Sequence, residues 1–388
     1  MSTAPNAVRP PHDGPPHPDT MLTPAEAEDL AAAVLAAPVE RFVNGAAGAG
    51  LTLRANRAAF DRVALVPRVL TDVSSVSTAA RLLGRPATFP AVVAPMAYQR
   101  AVHPEGELAA ARAAKDAGVP FTVGLFGSHT VEEVTACGAT TWFQLYWLRD
   151  RAVTEELVAR AEAAGCAALM LTVDTPRMGR RLDDMRGAFT LPAGIRAPHL
   201  DAVTGRTPRP VKDGRSEIAD QTATLVDPSL CWADIDWLRS RTRLPLILKG
   251  VLDASDARRA ADAGADAVVV SNHGGRQLDG AVAAADALPA VVQAVAGRCT
   301  VLLDSGIRSG TDVLKALALG AEGVLLGRPV LWGLAAAGHE GVLRVLRLFH
   351  EELAHAMTLA GCPHPAAAAR IRAIPAGTLP PASPEDRA

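Results

Sequence analysis

The 388-residue chain lacks the features that would place it in several large classes. Its five cysteines, Cys137, Cys166, Cys231, Cys299 and Cys362, stand far apart and never form a C-x-x-C spacing, so neither a disulfide scaffold nor a zinc or redox-pair site is expected. No block of like charge occurs, and 39 Lys plus Arg against 41 Asp plus Glu leave a formal charge of −2, which argues against nucleic-acid or anionic-membrane partners. No uninterrupted apolar run approaches the roughly 18 residues of a spanning helix, and the first twenty residues lack the charged-then-apolar order of a signal peptide. The expectation is a cytoplasmic protein.

What is present is 49% apolar, enough for a sizeable core, in a length that suits two or three domains or one large barrel. Residues 1–22 hold Pro5, Pro10, Pro11, Pro15, Pro16 and Pro18 with few apolar side chains, and are expected to form a disordered tail. Order is expected to begin at Thr23-Pro24-Ala25-Glu26, which has the make-up of a helix start, and to run to about residue 375, with 376–388 a flexible tail.

Short runs rich in Val, Leu and Ile recur at 89–95, 119–124, 140–146, 166–173, 244–249, 265–271, 299–304 and 321–326. Between them lie alanine-rich amphipathic stretches, most ending on glycine, such as 151–165, 253–264 and 309–320. Eight strands with helical crossovers predict an α/β fold, a (β/α)₈ TIM barrel. A doubly wound sheet is the runner-up, but no G-x-G-x-x-G follows the first strand. Residues 23–88 read as an accessory helical segment and 338–361 as a closing amphipathic helix. The aperiodic connection after strand 4, about 185–230, far exceeds an ordinary βα loop and is expected to be an active-site lid.

In such a barrel the chemistry collects just past the C-terminal ends of the strands. Asp304-Ser305-Gly306-Ile307-Arg308 and Gly327-Arg328-Pro329 follow strands seven and eight, where backbone N–H groups and a helix N-terminus can bind phosphate. Taken singly, Gly306 or Gly327 reads equally well as a tight turn. A lone His273 would more often be structural, yet it shares the rim with Asp174, which can hold the imidazole tautomer, and with Arg181 and Arg276, which can clamp a carboxylate. That grouping suits a general base acting on a small anionic substrate. Lys249 ends a strand and reads either as a Schiff-base nucleophile or as a fixed charge beside a cofactor. His350 and His355 are five residues apart, about 140° round a helix, so they form no zinc motif and no metal is expected.

The strings SNHGGRQLD (271–279), QLY (144–146), TVDTPRMGRR (172–181), LKG (248–250), DSGIRSG (304–310) and GRP (327–329) carry a specific resemblance over residues 23–362. The chain resembles the FMN-dependent α-hydroxy-acid oxidase family, which includes glycolate and lactate oxidases. Its wording at VAPMAYQRAVHPEGELAAARAAKDAGVPFT, WFQLYWLRD and LDDMRGAF is closest to the hydroxymandelate-oxidising members.

The resemblance implies FMN as cofactor, oxidation of a 2-hydroxy acid to a 2-oxo acid with oxygen or another acceptor, and a homotetramer. It implies that His273 takes a proton, Asp174 orients it, Arg181 and Arg276 hold the substrate carboxylate, and Tyr146 hydrogen-bonds the substrate. Lys249 would sit at the flavin N1/O2 edge, with Gln144, Thr172, Ser271 and the stretch Ala94, Pro95, Met96, Ala97 against flavin or ribityl. Asp304, Gly306, Arg308, Gly327 and Arg328 would serve the ribityl-phosphate end.

The family's N-terminal substrate tyrosine falls at Phe42, and its hydroxyl after the second strand falls at Leu125, beside Phe126; Met96 replaces a smaller residue. Phe42 and Phe126 favour an aryl substrate such as (S)-mandelate or 4-hydroxymandelate over an aliphatic one of lactate or glycolate type. The other readings are a natural-product oxidase, a Lys249 Schiff-base lyase and a flavin-binding protein without turnover.

Overall fold

The computed structural model describes residues 18–186, 189–204 and 217–378. Eight strands form a closed, wholly parallel barrel: β1 (Ala91–Val93), β2 (Phe121–Gly124), β3 (Thr141–Tyr146), β4 (Ala168–Thr172), β5 (Leu246–Val251), β6 (Ala267–Val270), β7 (Thr300–Leu303) and β8 (Gly323–Leu326). The pairing of Leu325 with Val92 closes the ring between β8 and β1. Seven strands fall inside runs read from sequence and β5 runs two residues past its own, to Val251; every one is flanked by the helices that cover a parallel sheet on its outer side.

The pleat sorts the side chains by parity. Val92, Trp142, Met170, Ile247, Val269, Leu302 and Leu325 fill the barrel interior, while Val93, Phe143, Leu171, Leu248, Val268, Leu303 and Leu326 face the surrounding helices. The floor is closed by an antiparallel hairpin, Ala80–Leu82 with Arg85–Ala87, whose Leu82 is fully buried among the interior residues.

The segment before the barrel is therefore not wholly helical. It contains α1 (Glu26–Val34), α2 (Ala37–Asn44) and α3 (Leu51–Asp61), the hairpin, and a strand Val63–Val66 paired antiparallel with Arg372–Pro375. α1 starts at Glu26 itself, whose carboxylate accepts from the Thr23 hydroxyl and the Leu22 amide. Residues 18–22, placed with the tail from sequence, are anchored at Met21, which is buried and whose carbonyl accepts from Arg344 at 2.7 Å, while Leu22 is exposed. The rest of the expected N-terminal tail, and residues 379–388 of the C-terminal one, lie outside the described residues.

The closing helix is longer than expected, Arg328–Ala360, with a corner at Ala337 and Gly338 where the backbone leaves helical geometry. The backbones of Gly333 and Gly341 lie against each other at this corner, too close for a Cβ on either. The long connection after β4 carries three short helices, Leu182–Arg186, Pro198–Thr204 and Glu217–Leu225, with part of the expected lid outside the described residues. Among the described residues no helix is long and apolar enough to cross a membrane.

Candidate active site

A cleft of about 1270 Å³, open mouth included, lies across the C-terminal end of the barrel. Strand order places β3 and β4 opposite β7 and β8. The inward parity that buries Trp142, Met170, Ile247, Leu302 and Leu325 continues upward to Gln144 and Tyr146, Thr172, Lys249, Asp304 and Gly327, so the cleft floor is the top layer of the barrel interior. Every site residue singled out from sequence lines this cleft except Asp174 and Ser271.

Those two stand behind the wall and hold what faces it. His273 Nδ1 lies 3.0 Å from Asp174 Oδ1, across 99 residues of sequence, which leaves Nε2 as the unpaired ring nitrogen. Gly250 makes room for that carboxylate, since a Cβ there would lie 2.6 Å from the Asp174 Cβ. Burial pushes the Asp174 carboxyl up, but His273, Lys249 and the Thr175 hydroxyl outweigh it and hold the group below its usual range. Burial also dominates His273 and, against the pull of Asp174, keeps its pKa below the ordinary 6.5. The imidazole is thus neutral at pH 7. His273 itself sits at φ 59, a left-handed conformation that is uncommon outside glycine, and its amide donates to Ser271 Oγ at 3.0 Å.

Ser271 Oγ also accepts from Lys249 Nζ at 3.0 Å, so one hydroxyl ties the lysine to the histidine. Lys249 Nζ is 2.9 Å from Asp304 Oδ2. Burial favours its neutral form, yet Asp304 and Asp174 more than offset this and raise its pKa, so the amine stays protonated. A Schiff-base nucleophile needs the opposite shift.

Among the described residues, five cations (Arg181, Lys249, Arg276, Arg308, Arg328) line the cleft against one carboxylate, Asp304. Burial and neighbouring positive charge draw Arg328 down to about 9, and burial draws Arg308 down to about 10. Arg276 is lowered well below its usual value by burial and by Arg181 and Arg328. Backbone carbonyls hold the forks in place: Arg276 donates to Gly45 O at 2.8 Å, and Arg328 to Gly45 O at 2.9 Å and Gly274 O at 3.1 Å. Arg181 is buried, its Nε has no hydrogen-bond partner among the described residues, and Asp184 is 4.0 Å away. Such an array favours anions, with the guanidinium geometry suited to carboxylate and phosphate.

The apolar side of the cleft is aromatic. Phe42 stacks on Phe189 at 4.7 Å and 5° and lies under the Arg276 guanidinium at 5.4 Å. Phe126 packs against Tyr146 at 5.6 Å. Burial pushes the Tyr146 hydroxyl up to about 12, so it remains a donor. Leu125 packs in the core and leaves the cleft wall to Phe126 and Met96.

Several lining residues have no counterpart in the sequence-based reading. Ile218 and Thr222 enter from helix Glu217–Leu225, inside the connection expected to form a lid, although its aperiodic sequence singles out neither residue. Gln277, inside the SNHGGRQLD string, clips the β4 and β6 loops by donating to Asp174 O at 2.8 Å and accepting from Gly179 N at 2.9 Å. Asn56 and Asn272 form a buried reciprocal amide pair at 2.8 and 2.7 Å, which fixes the residue preceding His273.

The donor set fits FMN: a buried ammonium and paired amide and hydroxyl (Gln144 Nε2 to Thr172 Oγ1, 2.9 Å) on one side, and two arginines with glycine backbone across the mouth. At Gly327 the space is open, with Ala94 Cβ 3.9 Å from where a Cβ would stand.

Residues 31–372 match the FMN-dependent dehydrogenase family. The chain is 52% identical to 4-hydroxymandelate oxidase of Amycolatopsis orientalis over 352 residues, 91% of this chain and 98% of that one. It is 48% identical to L-lactate oxidase of a Nostoc species, covering 87% and 93% of the two chains. A solved structure of mandelate oxidase with (S)-4-hydroxymandelic acid superposes with a TM-score of 0.88 at 51% identity, covering 92% of this chain and 99% of that one. The chain belongs to the FMN-dependent dehydrogenase family. It is an FMN-dependent oxidoreductase that acts on the CH–OH group of 2-hydroxy acids.

Proposed function

We propose that the protein oxidises an aryl 2-hydroxy acid of the mandelate or 4-hydroxymandelate type to the 2-oxo acid, with oxygen as acceptor. The observation that carries this is the meeting of the His273–Asp174 pair and the Arg181 and Arg276 guanidiniums with an aromatic wall at Phe42 and Phe126. Arg181 and Arg276 hold the carboxylate, Tyr146 donates to the substrate, and the ring rests on the apolar wall. His273 Nε2 accepts the proton that leaves the substrate, and Asp174 stabilises the imidazolium so formed. The chemistry that FMN would supply when bound is an acceptor for the two electrons and the second proton of the oxidation, to be passed to oxygen.

Lys249, Gln144, Thr172 and Ala94–Ala97 would hold the ring system. Asp304, Gly306, Arg308, Gly327 and Arg328 would hold the ribityl-phosphate end. Residues 23–375 act as one barrel domain with a lid over about 185–230.

The test is anaerobic mixing of the yellow protein with (S)-mandelate, 4-hydroxymandelate and (S)-lactate. Bleaching of the flavin band fastest with the aryl acids supports the reading. Bleaching fastest with lactate would shift it to aliphatic substrates, and borohydride trapping of a substrate on Lys249 would replace it with a lyase.

We propose further that the enzyme is a cytoplasmic homotetramer. All five cysteines are free thiols, in keeping with a reducing compartment, and the exposed Val69, Leu70 and Leu359 supply apolar surface for self-association. Light scattering of the purified protein checks the assembly.

A further inference from the structure

Helix α3 touches both working sides of the cleft. Asn56 holds Asn272 beside His273, and its neighbour Arg57 reaches the loop that follows β7. The Arg57 guanidinium forks onto Asp312, with Nη1 2.7 Å from Oδ2 and Nη2 3.2 Å from Oδ1, and Nη1 also donates to the Gly306 carbonyl. Asp312 is buried in the first turn of helix Gly310–Ala318, and its Oδ2 accepts from the Arg308 amide at 2.9 Å. One ion pair thus pins both ends of Gly306-Ile307-Arg308, the segment that lines the cleft just past the C-terminal end of β7.

That segment needs holding. Ser305, which leads into it, lies at φ 75, a left-handed conformation that a non-glycine residue keeps only when surrounding structure imposes it, and Gly306 follows at φ 96, which glycine adopts freely and which therefore does not hold itself. A two-pronged arginine–carboxylate pair fixes orientation as well as distance. We propose that Arg57 and Asp312 are positioning residues for the phosphate of FMN: they hold Gly306–Arg308 in the shape that receives it, without touching it themselves. This rests on the phosphate lying at the ends of β7 and β8, as proposed above.

The test compares FMN with riboflavin, which lacks the phosphate, by fluorescence titration of apoprotein, with thermal melting of each variant alongside. Arg57 is part-exposed, so Arg57→Ala is expected to fold. It should weaken FMN binding roughly tenfold or more while leaving riboflavin binding unchanged. Asp312→Asn should do the same, and Arg57→Lys, which keeps the charge but not the fork, should lie between. The double variant Arg57→Ala/Asp312→Asn removes equal and opposite charges and should remain weak for FMN.

Equal weakening for both flavins would reduce the pair to a tether between helices and overturn the inference. So would recovery of FMN binding in the double variant, since the effect would then be simple charge. Arg328→Ala separates the two layers. If it leaves the preference for FMN over riboflavin intact, the phosphate placement fails and the positioning role falls with it. If it abolishes the preference and Arg57→Ala does not, the positioning role alone is overturned.

Discussion

His273 is held by four separate constraints: a carboxylate on Nδ1, a serine hydroxyl on its amide, an asparagine pair just before it, and a backbone conformation uncommon for its type. Such constraints are what a base aimed at one proton requires. His273→Ala should slow flavin reduction by substrate roughly 10²–10⁴-fold with FMN still bound, measured by stopped-flow absorbance. An unchanged rate would remove it from the reaction. The direction of its pKa also sets a pH profile. Burial lowers the folded pKa below 6.5, so the base is unprotonated at neutral pH, and kcat/KM should stay flat on acidification until below 6.5 before falling. A fall that begins above pH 7 would contradict a neutral buried imidazole.

Elements divide the labour between the two ends of the barrel. The hairpin that closes the floor buries Leu82 among interior residues far from the cleft, so Leu82→Ala should leave a cavity costing about 2–5 kcal/mol of stability. Denaturant unfolding measures the loss, and kcat at saturating FMN should be unaltered. At the other end, Phe189 reaches Phe42 from the long connection after β4. An aromatic pair of this kind is worth about 0.5–1.5 kcal/mol, so Phe189→Ala should raise KM for mandelate roughly 2- to 12-fold with little change for lactate. Parallel changes for both substrates would mean that the stack shapes the lid rather than the aryl wall.

At the scale of the whole molecule, a cleft lined, among the described residues, by five cations and one carboxylate is an array in which an anionic cofactor relieves repulsion between buried guanidiniums. FMN binding only to the folded barrel should therefore raise the melting temperature with FMN concentration, by about 2.7 kcal/mol of stability at a hundred times its Kd. Differential scanning calorimetry with and without FMN checks this, and an unchanged transition would mean that the folded barrel does not bind FMN.

The barrel was legible from sequence because parallel strands buried on both faces leave continuous Val, Leu and Ile runs, and because crossover helices end on glycine. The polar residues at the end of each run were legible as well: the period of two that turns Met170 and Ile247 inward also turns Thr172 and Lys249 into the mouth. Short-range pattern does not decide which of these groups meet. Asp174 lies 99 residues from His273, and Asn56 lies 216 from Asn272. Ser271 is engaged by Lys249 and Leu125 packs in the core, while Ile218 and Thr222 enter the cleft from a segment with no readable period. Periodicity and turn chemistry are local, and they alone set the strands, the rim and its residue types. Closure of the ring, the partners of each buried charge and the resulting pKa directions depend on contacts between distant segments, so the tertiary structure decided them.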